Sequence, residues 1–265
     1  MSAPPFLTAP KLAEAGAVHG FFSRAGGVSS GVFATLNAGP RSGDDAGAVA
    51  ENRRRCATAL GVGPEHLLTL KQIHSPRVVA VSKPWDGDAP EADAMVTATP
   101  GLALGVLAAD CMPFLFFEPH ARVIAAAHAG WRGALAGVLE ATVAAMAERG
   151  ARPDRIIAAL GPCLRQPDFE TGMDVVEAFA KKFPQAGRFF APGARPDKRQ
   201  FDLAGFGFQR LATCGLTDFD DVEISTLACS EAYFSYRAPR LRGRSRFGAA
   251  KARRAGASDY GRNLS

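Results

Sequence analysis

Two histidines and one cysteine occupy short strings whose residue types could do chemistry: Gln72-Ile73-His74, Ala109-Asp110-Cys111, and His128-Ala129-Gly130-Trp131-Arg132-Gly133. Imidazole nitrogen and thiolate sulfur suit zinc, and three such ligands with a fourth position open describe a catalytic rather than a structural site. Bound zinc lowers the pKa of water from 15.7 to ~7, which supplies a nucleophile near neutral pH. His74, Cys111 and His128 each close an apolar, strand-like run, and Pro76, Pro113 and Gly130 follow them within two positions. Strand ends of this kind line ligand crevices. The three residues are far apart along the chain, so spacing alone leaves other chemistry open. One alternative is a metal-free hydrolase with Cys111 as nucleophile and His128 as base.

The other histidines, His19, His66 and His120, have no comparable context, and Cys56, Cys214 and Cys229 read as small buried hydrophobes. Beyond His128, Gly130 lets the backbone approach a ligand closely, and a helix starting near Trp131 favours an anion at its N-terminus. Arg132 could add a charge-assisted contact to phosphate or carboxylate. The competing account is a tight strand-to-helix turn with Arg132 facing solvent.

The elements that must position these groups follow from pattern and punctuation. Strands are expected over 17–23, 67–73, 78–82, 93–97, 102–109 and 156–160, with another over 222–227. Residues 114–117 and 123–127 flank Glu118-Pro119-His120-Ala121, a turn composition, and read as a hairpin. The second of these runs is almost wholly apolar and is expected to be buried on both faces. Asp44 or Asp45 caps a helix over 48–60 that Gly61 ends; further helices are expected over 131–149, 172–183 and 203–214. Strands and helices mix without regular alternation, which favours an α+β arrangement with mixed sheets. No internal repeat or linker divides the chain, so 1–265 is expected to be a single domain.

Composition sets the wider bounds. The 265 residues are 47% hydrophobic and 22% charged, a globular balance. No apolar run reaches the ~18 residues of a membrane span, and the N-terminus lacks the pattern of a secretory signal. Five scattered cysteines fit free thiols in a reducing cytoplasm better than a disulfide framework. The net charge of +5 is local: Arg237, Arg240, Arg242, Arg244, Arg246, Lys251, Arg253 and Arg254 leave 23 basic against 26 acidic residues elsewhere. Residues 237–258 therefore read as a flexible basic loop. Nucleic-acid binding by this loop is disfavoured, because Phe247 is its lone aromatic for stacking bases.

A resemblance covers most of the chain. Phe21-Phe22-Ser23-Arg24-Ala25-Gly26-Gly27-Val28-Ser29, Leu36-Asn37-Ala38-Gly39, Glu51-Asn52-Arg53, Ala92-Asp93-Ala94-Met95-Val96-Thr97, Gly161-Pro162-Cys163 and Phe169-Glu170, with the three strings above, appear in the order of one family. The chain resembles the purine nucleoside phosphorylase/multicopper polyphenol oxidase (laccase-domain) family. The resemblance implies a four-layer α/β/β/α sandwich with mixed β-sheets, and zinc on His74, Cys111 and His128. It also implies phosphorolysis of adenosine, inosine, guanosine or methylthioadenosine, and deamination of adenosine. A related branch is linked to editing of peptidoglycan precursors. Copper-dependent phenol oxidation fits less well, since five histidines cannot furnish both a blue-copper centre and a histidine-rich trinuclear cluster.

On this basis deamination needs a carboxylate to move protons while activated water attacks purine C6, and Asp93 and Glu170 are the candidates. Phosphorolysis needs phosphate held at ribose C1′; Arg24 and Arg132 are candidate clamps and Asn37 a polar contact. Turn chemistry and capping compete for Arg24, Asn37 and Asp93. The chain departs from the family after Ser235-Tyr236-Arg237, where it is longer and more basic, and at 261–265, where the family continues into an apolar strand.

Overall fold

The computed structural model describes residues 3–238. Beyond Ala238, the expected basic loop and the end of the chain lie outside the described residues. The strands are β1 (Phe6–Leu7), β2 (Phe21–Phe22), β3 (Leu67–Leu68), β4 (Val78–Ala80), β5 (Ala94–Thr97), β6 (Ala103–Leu104), β7 (Met112–Glu118), β8 (Val123–Ala129), β9 (Ile157–Leu160), β10 (Glu170–Gly172), β11 (Phe190–Pro192), β12 (Lys198–Phe201) and β13 (Asp218–Asp221). The helices are α1 (Pro10–Glu14), α2 (Ala46–Ala59), α3 (Trp131–Ala136), α4 (Val138–Ala147), α5 (Met173–Lys182) and α6 (Leu203–Thr213).

A six-stranded mixed sheet in the order β13-β9-β7-β8-β5-β4 carries the fold. Its pairings β13/β9 and β4/β5 are parallel, whereas β9/β7, β7/β8 and β8/β5 are antiparallel. Alternation along the strands sorts side chains to two faces. Ala94, Val96, Phe114, Phe116, Ala125 and Ala127 point toward α4 and α6, where Leu139, Val143, Met146 and Phe206 complete the largest core. On the other face Met95 packs with Leu68 of β3 and Leu104 of β6. Those two short parallel strands turn their alternate residues, Leu67 and Ala103, outward against Cys56 and Ala57 of α2. Helix, sheet, small sheet and helix thus stack in the expected four-layer α/β/β/α order of an α+β protein.

Local chemistry explains several elements. Asp45 caps α2 by accepting the Ala48 N–H at 2.8 Å. Asn52, on the buried face of α2, gathers the 28–37 loop. Its amide donates to Ser29 Oγ (2.8 Å), Thr35 O (3.1 Å) and Asn37 O (2.9 Å), and its carbonyl accepts the Val28 N–H (2.8 Å). Asn52→Ala removes the shared partner of those four groups, of which Ser29 is buried, and a loss of about 1–3 kcal/mol in unfolding free energy is expected. A urea midpoint equal to the parent's would show that the loop is held by other means.

Several expectations need correction. The strands expected over 17–23, 67–73 and 102–109 are pairs of residues, Phe21–Phe22, Leu67–Leu68 and Ala103–Leu104, and Cys214 is half-buried. The helix expected over 131–149 is two helices, because Gly137 has φ 105° and ends α3 in the left-handed region, where a side chain would be strained. The strand expected over 222–227 lies earlier, at β13, where parallel pairing to β9 is available to Asp218–Asp221; of the expected stretch, Ser225 makes one bridge, to Cys163. Cys229 is exposed rather than buried. A three-stranded sheet, β10-β12-β11, was not expected from the sequence.

Candidate metal centre

The antiparallel hairpin brings two ligands together. In the β7/β8 register Pro113 faces His128 and Met112 faces Ala129. Cys111 stands immediately before β7, beside the last residues of β8. The sequence placed Cys111 at the close of a strand; the structure places it at the opening of one, and antiparallel pairing yields the same meeting point. His74 arrives from the loop between β3 and β4, with φ 58°. Its ring lies 4.9 Å from that of His128 at 80° between planes, and its Nε2 is 3.8 Å from Cys111 Sγ. One ligand atom from each of the three residues falls within 4.8 Å of the others, close enough to share one ion.

Other features fit a metal ion. His128 is 1% exposed, and its buried Nε2 has no hydrogen-bond partner among the described residues. Burial works to raise the Cys111 thiol, but it is outweighed by His128, which Cys111 and Asp93 push up to about 9 against its own burial, and by His74. The thiol is thereby drawn down to about 6, and a thiolate beside an imidazolium is present at neutral pH; a bound metal would displace the imidazolium proton. Gly130 leaves the required space: a Cβ there would stand 2.8 Å from His74 Cδ2 and 2.9 Å from Cys111 Sγ. All five cysteines are free thiols.

Asp93, just before β5, is fully buried. Its Oδ1 accepts the His74 N–H (2.9 Å) and pairs with His128 Nδ1 (2.9 Å). Its Oδ2 accepts the Ile73 N–H (3.2 Å), the Ser75 N–H (2.6 Å) and the Ser75 hydroxyl (2.9 Å). Burial opposes its charge, yet His128 and Ser75 more than compensate and hold the carboxyl below the usual range.

Two residues of the motifs serve as struts the sequence did not reveal. The Gln72 side chain exchanges a pair of 2.8 Å hydrogen bonds with the Leu107 backbone, fixing the His74 loop to the segment leading to Cys111. Asp110, at φ 96°, accepts the Thr226 hydroxyl (2.7 Å) and the Arg237 N–H (2.9 Å), so it ties the 226–237 segment to the residue beside Cys111. Asp110, an acid at the close of an apolar run, carried a signal; Gln72, beside Lys71, carried none.

The proposed substrate contacts are dispersed. Arg132 lies at the start of α3, two residues past Gly130, with its guanidinium 4.3 Å from the Trp131 ring centre. Arg24 donates to Ala34 O (2.8 Å) and Ser230 O (3.0 Å) and covers the Phe234 ring. Asn37 donates to Ser42 Oγ and Asp44 Oδ2. Glu170 is in β10, opposite Gln200. The preceding Phe169 lies under the Arg237 guanidinium, at 4.9 Å.

The chain is a mixed α+β scaffold that brings two imidazoles and one thiol within reach of a single ion, a group able to bind a metal. Residues 18–249 match the family model described as multi-copper polyphenol oxidoreductase laccase, and the chain belongs to that family. It is 43% identical over 242 residues to a purine nucleoside phosphorylase of Deinococcus radiodurans, covering 89% of each chain. It is 38% identical over 223 residues to the Escherichia coli (strain K12) purine nucleoside phosphorylase YfiH, covering 84% of this chain and 88% of that one. Among solved structures, a Neisseria meningitidis protein superposes with a TM-score of 0.77 at 36% identity, over 83% of this chain and 87% of its own. YlmD from Geobacillus stearothermophilus gives 0.78 at 28% identity, over 83% and 86%. No helix among the described residues is long and apolar enough to cross a membrane.

Proposed function

We propose that this chain is a zinc-dependent purine nucleoside phosphorylase that also deaminates adenosine. The observation that carries the proposal is the convergence of His74, Cys111 and His128 within reach of one ion, with His128 buried and its Nδ1 held by Asp93, in a chain so similar to named purine nucleoside phosphorylases. Two imidazoles and a thiolate suit zinc, which when bound supplies Lewis acidity and activates water near neutral pH. Copper-oxidase chemistry is the weaker alternative, because five histidines in the whole chain are too few for its centres. The free thiols favour a reducing cytoplasm.

In phosphorolysis a phosphate oxygen bonds to ribose C1′ as the bond from C1′ to the purine nitrogen breaks, and the departing base gains a proton. Arg132, two residues past Gly130 in the chain, is the first choice to hold the phosphate. Arg24 and Asn37 would meet the substrate from the loop that they brace. Glu170 is the candidate to move protons.

Adenosine and inosine incubated with zinc-loaded protein, with and without phosphate, test the proposal. Hypoxanthine from inosine and ribose 1-phosphate, formed only when phosphate is present, are the expected products, together with phosphate-independent conversion of adenosine to inosine. Absence of both reactions in protein shown to hold zinc would contradict it.

A further inference from the structure

We infer that Asp93 is the positioning residue of the metal centre: one buried carboxylate that sets both histidine ligands and takes no proton from substrate. The inference rests on the metal-binding part of the proposed function and is independent of which nucleoside reaction follows.

A carboxylate offers about four lone-pair sites. Oδ1 of Asp93 meets two donors and Oδ2 meets three, so none of these sites is left for a substrate proton. The side chain is also wholly out of solvent contact. General acid–base catalysis requires a group within hydrogen-bond reach of the transferred proton, directly or through one water. Asp93 is enclosed by protein donors instead.

Those donors belong to the ligands' own supports. Three consecutive backbone N–H groups, from Ile73, His74 and Ser75, turn inward onto the carboxylate. Such a run forms an anion-holding concavity. Here the anion stabilises the left-handed backbone at His74, φ 58°, that a histidine would otherwise avoid. On the other side, an acceptor at Nδ1 requires the proton of His128 to reside there. A metal is then left Nε2, the other ring nitrogen of this buried histidine, in the group it forms with Cys111 and His74. A second bond, from the His128 N–H to Asp93 O at 2.7 Å, locks the same two residues together through the main chain. A carboxylate behind a ligating imidazole fixes its tautomer and orientation; Asp93 does this for one histidine while building the loop that presents the other.

Asp93→Asn is the test, with the full chain and zinc or cobalt(II) as probes. Zinc affinity, read by chelator competition, is expected to fall about 10- to 100-fold. The cobalt(II) absorption bands are expected to shift, since one imidazole is presented differently. At saturating zinc, turnover per bound ion should fall by no more than the roughly 10- to 100-fold that a supporting residue costs, with both limbs of the pH profile retained. Parent-like zinc affinity and cobalt spectrum combined with a loss of turnover above 100-fold, or with loss of one limb of the pH profile, would overturn the inference and make Asp93 a proton-transfer group. Should Asp93→Asn fail to fold, nitrogen-15 NMR of zinc-loaded parent protein decides. Protonation of His128 at Nδ1 with the metal on Nε2 is expected, and the reverse arrangement refutes it. Zinc affinity, the cobalt spectrum and the NMR tautomer do not depend on nucleoside turnover, so an inactive protein that binds zinc with this tautomer sinks phosphorolysis alone. A parent chain without zinc affinity sinks both.

Discussion

Cys111→Ala is expected to remove the metal and the nucleoside chemistry together while leaving the fold in place. Cys111 Sγ is the one anionic ligand of the three, and its thiol is drawn down to about 6 by the imidazoles beside it. Altering a residue that merely supports a ligand costs about 10- to 100-fold in metal affinity; deleting a ligand should cost more than about 100-fold. The packing penalty is small by comparison. Cys111 is 9% exposed at the end of a central strand, outside the main apolar cores, and losing one sulfur there should cost about 1 kcal/mol. Metal analysis by mass spectrometry and circular dichroism of the same sample check both halves. Full zinc stoichiometry in the variant would remove Cys111 from the ligand set. Activity that persists in chelator-treated parent protein but disappears in Cys111→Ala would instead favour the Cys111/His128 hydrolase.

Gly130→Ala is expected to have the next largest effect, and for a purely steric reason. Gly130 has φ −69° and ψ 167°, extended backbone open to any residue, so alanine carries no conformational penalty. The new methyl would stand 2.8 Å from His74 Cδ2, 2.9 Å from Cys111 Sγ and 3.3 Å from His74 Nε2. Each clash falls on a metal ligand, so relief must come from moving ligands. Overpacking of this kind costs about 1–3 kcal/mol, and if it is relieved at the site it corresponds to about 5- to 150-fold in zinc affinity. Chelator competition measures the loss and thermal melting separates it from unfolding. Unchanged affinity with a lowered melting temperature would mean that the strain is absorbed by α3 and not by the centre.

Much of this architecture was legible in the residues. The apolar run of β8 and the turn at Glu118–Ala121 announced the hairpin, and the hairpin carries two of the three ligands. Asp45 and Gly61 bracketed α2 to within two residues. Other features escaped for identifiable reasons. The break at Gly137 falls within a helical pattern that continues on both sides, and a lone glycine there does not reveal that its φ is positive. Strand β13, Asp-Phe-Asp-Asp, has little β propensity of its own and exists because β9 offers it a parallel edge. The short strands β10, β11 and β12 form a sheet through pairings distant in sequence. At the site, residue types singled out the three candidate ligands, but nothing in the order of residues reveals which oxygen of Asp93 meets which donor. An acid between two alanines, Ala92-Asp93-Ala94, does signal a buried and satisfied carboxylate, and that signal was available. The left-handed backbones of His74 and Asp110, each within one residue of a ligand or at it, became visible only in three dimensions.

The most direct test of the whole account is anomalous diffraction at the zinc edge from crystals grown with zinc. One peak per chain is predicted, about 2.0–2.1 Å from His74 and His128 ring nitrogens and about 2.3 Å from Cys111 Sγ. A peak bonded to other residues, or none in the space between these three, would contradict it.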